Sequence, residues 1–294
     1  MRPFPYVRPG SLAEAYDALD TAQPGEVRMI VGGTDLIVGL QSGRIAPRLV
    51  MDLKHLRDLP AGITHTATGV SVSAVSSLSE VIADKRIRTM FPALVEAAQT
   101  VGSVQIRNRA SLTGNICNAS PAADTAPTLL AYDAVVVISS RDGDRRLPVA
   151  DFMLGPRRTD LRPGEIVTAL DLPVPPAPLG AKFARLTRRR GVDLATLSLC
   201  CAVGPRRTRF AFGAVAPRPF VVEDDSGVLA DPDAGEEARE RLLLEVTDRA
   251  RPITDLRASA DYRQAMLLVL SRRALDAALV LRDTAPTTST EPDT

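Results

Sequence analysis

The stretch "DLPVPPAPLG", Asp171–Gly180, constrains this chain more than any other, because it sets four prolines between positions 173 and 178. Proline gives no N–H to a sheet ladder and breaks a helix interior, so a regular element that enters this stretch has to end in it. A chain of 294 residues has room for roughly two domains, and the crossing from Pro173 to Pro178 is the expected boundary between them.

Short strands and helices mix on the first side of the crossing. "EVRMIVGG" reads as a buried strand running into a glycine turn, "RLVMDL" as a second strand, and the alternating "VSVSAV" as a half-buried one. "SLSE", Ser77–Glu80, is a capping-box pattern that opens a helix, and Pro92 suits the first turn of "PALVEAAQTV". "PTLLAYDA" suggests a further helix, followed by the strand "AVVVIS" and the turn "RDGD". Beyond the prolines come three strand-like stretches, "KFARL", "LATLSLCCAV" and "RFAFGAVA". Two helical patterns follow, and the second carries Tyr262, Met266 and Val269 at helical spacing. The polar end "TAPTTSTEPDT" is expected to be disordered.

Composition excludes several kinds of chemistry. With 36 basic and 35 acidic residues the formal charge is +1, which gives no reason to expect nucleic acid as partner. The opening "MRPFPYVRPG" lacks the apolar centre of a secretory signal, and no apolar run has the length of a membrane span. A soluble, cytoplasmic protein is the expectation. The three cysteines are Cys117, Cys200 and Cys201, and adjacent residues on a strand point to opposite faces. No disulfide framework, zinc knuckle or iron–sulfur cluster is expected from them, and no metal site at all. His55 and His65 stand apart from any acidic or cysteine cluster and read as structural or surface residues.

Neither the dinucleotide fingerprint nor a P-loop is present. The chain offers instead two small-residue loops, Gly32-Gly33-Thr34-Asp35 and Ser111–Asp124. A phosphate needs several backbone N–H groups converging on it, and small residues let the backbone come that close. Gly32, Gly33 and Thr34 suit one side of such a cradle, and Ser111, Thr113, Gly114 and Asn115 the other. Each loop alone reads first as an ordinary turn. Asp35 and Asp124 fit either a ribose hydroxyl or a cap. The arginines of "RLTRRRGVD", Arg185–Asp193, fit a solvated face, a docking surface or a loop over a cofactor.

Six stretches in this order resemble one family: "MRPFPYVRPGSLAEAYDAL", "VGGTDL", "QIRNRASLTGNICNASPAADTAPTLLAYDA", "RRRGVDLATLSLCCAV", "FGAVAPRP" and "RPITDLRASADYRQAMLLVLSRRAL". Together they look like the FAD-binding (medium) subunit of the molybdenum hydroxylases, the xanthine dehydrogenase and carbon monoxide dehydrogenase family. The resemblance runs over residues 1–283. It implies an α+β fold: a two-lobed FAD-binding domain of the PCMH/vanillyl-alcohol-oxidase type over 1–176, a smaller α+β C-terminal flavoprotein domain over 177–283, and a tail over 284–294. By position it implies a first FAD loop of Met29, Ile30, Val31, Gly32, Gly33, Thr34, Asp35 and Leu36. The second would be Ser111, Leu112, Thr113, Gly114 and Asn115, with Asp124 as an anchor. Val101 and Val167 fall at the family's apolar adenine contacts. Arg185 stands where the family often has Lys, which keeps the charge and changes the donor geometry. Arg188–Asp193 would run near the isoalloxazine ring, and Asp193 would contact it.

The resemblance also implies a role. FAD would be the cofactor of this chain, which would pass electrons from [2Fe–2S] clusters on a small partner subunit to NAD, a quinone or oxygen. The molybdenum cofactor would sit on a large partner subunit, in a dimer of heterotrimers. No catalytic acid, base or nucleophile is singled out. A cofactor-free assembly module of the same fold and a stand-alone flavin oxidase are the alternatives.

Overall fold

The structure, a computed structural model, describes residues 3–60, 62–175 and 178–284. Within the first lobe, β1 (Tyr6–Val7), α1 (Leu12–Asp20), β2 (Val27–Ile30), α2 (Leu36–Gln41) and β3 (Leu49–Asp52) follow one another. The three strands form a parallel sheet in the order β1-β3-β2. The central β3 is buried, whereas β2 lies at the edge and is half-buried, so "EVRMIVGG" is a strand less enclosed than its apolar run predicts. Ser11 accepts from Glu14 N–H to cap α1, whose Ala15 and Tyr16 pack with Met51, Leu53 and Leu56.

The second lobe opens with β4 (Ile63–Thr66), β5 (Gly69–Ser73), α3 (Leu78–Ala83), α4 (Lys85–Met90) and α5 (Pro92–Thr100). It continues through α6 (Val104–Arg107), α7 (Leu112–Cys117), α8 (Thr125–Ala131), β6 (Val135–Ser140) and β7 (Gly143–Pro148). The last members are α9 (Val149–Phe152), a small ribbon of β8 (Met153–Gly155) with β9 (Arg158–Thr159), and β10 (Ile166–Pro173). Five strands pair antiparallel in the order β4-β5-β10-β6-β7. Both halves of the capping box form, Ser77 with Glu80, and Pro92 is the first residue of α5. The alternating "VSVSAV" is more enclosed than a half-buried strand, since Ser73 is buried as well as Val70 and Val72. Tyr16 joins the lobes by donating to Ser139 Oγ at 2.9 Å.

Past the prolines, β11 (Gly180–Leu186), β12 (Leu197–Val203), β13 (Thr208–Gly213) and β14 (Phe220–Asp224) form an antiparallel meander. The helices α10 (Glu236–Thr247) and α11 (Ala260–Thr284) close the chain, and α11 packs on β11 and β12. The opposite face of the sheet packs on α5 and α8 of the second lobe. Every residue of β12 is buried, with Cys200 in the core of the second lobe and Cys201 in the core under α11. The opposed cysteines are where period-two geometry puts them.

The helix expected from the spacing of Tyr262, Met266 and Val269 forms as α11, with Tyr262 exposed, Met266 and Val269 half-buried, and Arg263, Leu267, Leu270, Ala274 and Leu275 on the face that packs inward. Apolar residues surround much of this helix, so spacing alone does not select the inward side. Thr284, taken as the first residue of the tail, ends α11, and the rest of the tail lies outside the described residues.

Candidate functional site

The first glycine loop links β2 to α2. A side chain at Gly32 would place its Cβ 2.0 Å from the carbonyl oxygen of Arg109 and 2.9 Å from Ala110 N. The loop therefore lies backbone to backbone against the residues that lead into Ser111, 79 positions later. The two small-residue segments converge, and the close approach that Gly32 permits is to the protein's own chain. Gly33 has φ +72, a left-handed turn that suits glycine, and its carbonyl accepts from Ile37 N–H at 2.9 Å. From the floor of the loop, Lys54 Nζ donates to Val31 O at 3.0 Å while pairing with the buried Asp52 at 2.7 Å. Asp35 occupies the N-cap position of α2 and is exposed, with no capping bond from its side chain.

The second segment is the start of a helix rather than a loop. Ser111 Oγ accepts from Gly114 N–H at 2.9 Å and so caps α7, whose first N–H groups have no partner within the helix. Leu112 is fully buried in the core, so its side chain anchors the turn; Thr113 is buried and Gly114 exposed. Asn115 Oδ1 accepts from Thr125 Oγ1 at 2.7 Å, tying α7 to the start of α8. Asp124 precedes α8 and makes no capping bond, so here too the cap reading fails.

Asp124 instead meets Arg185. The Arg185 Nη1 lies 3.1 Å from Asp124 Oδ2 and donates to Thr100 O at 3.0 Å, next to Val101. Its Nη2 donates to Asp193 O, so the arginine reaches from the second lobe to the loop after β11. Val101 is half-buried at the end of α5, and Val167 is buried in β10, against which α7 packs. Arg188 holds Asp193 at 3.3 Å and keeps its carboxyl below the usual carboxylate range. The arginine run is thus partly internal. Burial pushes the Asp124 carboxyl up to about 6, against the pull of the Arg185 charge and the Thr100 hydroxyl.

That shift has a measurable consequence. The folded FAD-free chain holds a proton on Asp124 up to about pH 6, whereas the unfolded chain releases it near 3.8. Stability from this group is therefore present at low pH and is lost as pH rises through the folded value, by up to about 3 kcal/mol. Unfolding of wild type and Asp124→Asn by urea from pH 4 to 7.5 should show the wild type losing ground to the variant by that order. A constant gap would remove Asp124 as the titrating group.

Other sequence candidates fall outside this constellation. His65 pairs with Asp84 at 2.9 Å and His55 contacts Arg8, as structural or surface residues do. Burial pushes the Cys117 thiol up to about 12, which makes it a poor nucleophile at neutral pH. No group of three or more metal-ligating side chains occurs among the described residues. Lys54, Arg109 and the burial of Arg185 were not legible from sequence, since each depends on a partner distant in the chain.

A family model described as the FAD binding domain in molybdopterin dehydrogenase matches residues 2–175, and one described as the CO dehydrogenase flavoprotein C-terminal domain matches 182–278. The chain belongs to this family of FAD-binding medium subunits. It is 29% identical over 277 residues to the glyceraldehyde dehydrogenase medium chain of Sulfolobus acidocaldarius, covering 92% of this chain and 96% of that one. With the xanthine dehydrogenase FAD-binding subunit of Escherichia coli O157:H7 it shares 28% over 283 residues, 93% and 95% of the two chains. The solved carbon monoxide dehydrogenase of Hydrogenophaga pseudoflava superposes with a TM-score of 0.88 at 26% identity, covering 96% of this chain and 99% of that chain. The two-lobed α+β fold expected of an FAD-binding medium subunit is the fold observed.

The residues of this FAD-binding subunit fit its cofactor on their own chemistry. Thr113 Oγ1, Asp124 Oδ1, Arg185 Nε and Asp193 Oδ2 are buried atoms with no hydrogen-bond partner in the described chain. Buried polar atoms left unpaired are costly, and a ligand rich in hydroxyls and phosphate oxygens satisfies both the donors and the acceptors in such a set. The backbone N–H groups of Thr34, Asp35, Leu36 and Thr113 donate to no described residue, and so remain available from both segments.

Proposed function

We propose that the chain relays electrons through FAD held between the two converging segments. Residues Met29 to Leu36 and Ser111 to Asn115 cradle the pyrophosphate, and Val101 and Val167 line the adenine end. The observation that carries this reading is the contact of Gly32 with Arg109 and Ala110, which brings both segments to one place in a chain of the FAD-binding family. Bound FAD would supply one- and two-electron redox chemistry. The chain's own part is placement: unspent N–H groups face phosphate oxygens, and Asp124 accepts from a sugar or ribityl hydroxyl. Arg185 sets the local charge and holds Asp124 and Asp193 in register.

The electrons come from [2Fe–2S] clusters on a small partner subunit, the molybdenum centre lies on a large one, and a dimer of heterotrimers is the assembly. NAD, a quinone or oxygen is the acceptor. The names of the relatives, a "medium chain" and an "FAD-binding subunit", support a multi-subunit enzyme. Cys200 and Cys201 lie buried in two different cores, which supports placing the clusters on another chain. Three unpaired thiols suit the reducing cytoplasm, where this reading locates the protein.

The purified full-length chain, with whatever subunits accompany it, should show a flavin spectrum and release FAD on denaturation. A colourless protein that takes up no added FAD would leave a cofactor-free assembly module. Gly114→Val is expected to weaken FAD binding at least about tenfold, equivalent to about 1.4 kcal/mol, since its Cβ would press on Ser111 Oγ at 2.9 Å and carry a branched side chain into the cradle. Unchanged flavin retention in that variant counts against the second segment.

A further inference from the structure

The geometry points to Arg263 as a positioning residue for the flavin site: through Ala214 it fixes the turn that carries Asp124. The inference rests on the FAD reading above. Arg263 lies on α11, far along the chain from both cradle segments, and is 1% exposed. Its Nη1 donates at 2.9 Å to Thr196 O and at 2.9 Å to Ala214 O, and its Nη2 to Asp255 at 2.5 Å. Thr196 precedes β12 and Ala214 follows β13, and Ser198 pairs with Gly213 across the two strands. One guanidinium therefore stitches the open end of this strand pair.

That end of the sheet grips the flavin turn on both sides of Asp124. Ala214 N–H donates to Pro121 O at 2.7 Å, three residues before Asp124. A Cβ at Gly213 would stand 3.0 Å from the Pro127 ring, three residues after it. Ala214 has φ +62, a left-handed conformation that disfavours alanine. The turn persists because its carbonyl is held by Arg263 and its N–H by Pro121. With Ala214 so held, the Pro121 carbonyl and the start of α8 have fixed places, and the Asp124 carboxyl with them. A guanidinium suits this task because its planar fork serves carbonyls and a carboxylate at once, which a lysine ammonium on a flexible stem does not.

The test uses the full-length protein with its accompanying subunits. Wild type must first bind FAD; if it does not, the functional reading fails and the role of Arg263 falls with it for that separate reason. Arg263→Lys keeps the charge and one bond. It should unfold, FAD-free, within a few degrees of wild type, yet bind FAD at least about tenfold more weakly and show an altered visible circular-dichroism band from the flavin that does bind. Wild-type affinity and an unchanged band in Arg263→Lys overturn the inference. If that variant does not fold, the double variant Arg263→Gln with Asp255→Asn, which keeps donors without buried charge, is read by the same two measurements. Loss of fold in both makes Arg263 a folding residue and also overturns it.

Discussion

Gly32→Ala should lose FAD binding by about a hundredfold or more, a loss of about 3 kcal/mol, and should destabilise the FAD-free chain as well. The added Cβ would lie 2.0 Å from Arg109 O, 2.5 Å from Arg109 C and 2.9 Å from Ala110 N. All three atoms are backbone, so no rotamer change relieves the overlap. The segments must part by more than about 1 Å, and a close-packed interior does not absorb that without a shift of whole elements. The stability cost should be about 1–3 kcal/mol, the usual range for overpacking. Because α7 begins one residue beyond Ser111, the same displacement carries the second half of the cradle away from the first. Fluorescence titration with FAD and urea unfolding measure the two effects. Gly235→Ala, with nothing within 4 Å of the new Cβ, is the control and should bind FAD normally. Full affinity in Gly32→Ala would mean that the two segments do not share one ligand.

Arg185→Met should destabilise the FAD-free chain by about 3–5 kcal/mol at pH 7.5, the range for removing one partner of a buried ion pair. Methionine fills much of the volume, so the loss comes from charge and hydrogen bonds rather than from a cavity. Asp124 would be left ionised and buried with no counter-charge, and Thr100 O and Asp193 O without their donor. A carboxylate in that position takes up a proton more readily than it does beside Arg185. The gap between wild type and variant should therefore narrow on going from pH 7.5 to pH 5. Urea unfolding at the two pH values reads this directly. A gap that stays the same would show that Arg185 acts through its carbonyl contacts alone.

What the sequence made legible was local. The capping box at Ser77–Glu80, the proline that opens α5 and the opposed cysteines of β12 each follow from chemistry within a few residues, and the structure has all three. The order of the family's motifs made FAD and the two-lobed fold legible as well. Long-range facts were hidden. Gly32 reads as a glycine before a turn, and nothing nearby announces that its neighbour is the backbone at Arg109. Arg263 stands at the spacing of Leu267, Leu270 and Ala274, an arginine within an apolar stripe. That spacing is the available signal, but apolar residues also stand on the other faces of α11, Tyr262 and Met266 among them. The two aspartates behaved differently for a reason of environment: Asp35 is exposed without a cap bond, whereas Asp124 lies buried against an arginine from the other side of the proline crossing.

The burial of β12 on both faces ties together regions that the proline crossing separates in sequence. Cys200 and Ala202 belong to one core, and Leu199, Cys201 and Val203 to the other, on a single strand of seven residues. Detaching α10 and α11 would wet one face of that strand and weaken its pairing with β11 and β13, which in turn are the surface on which α5 and α8 rest. The proline crossing is therefore not a line along which the molecule can melt in halves. Local opening on either side is penalised by the other, and heat or denaturant should meet one cooperative unit, with the turn that carries Asp124 as secure as the strand behind it.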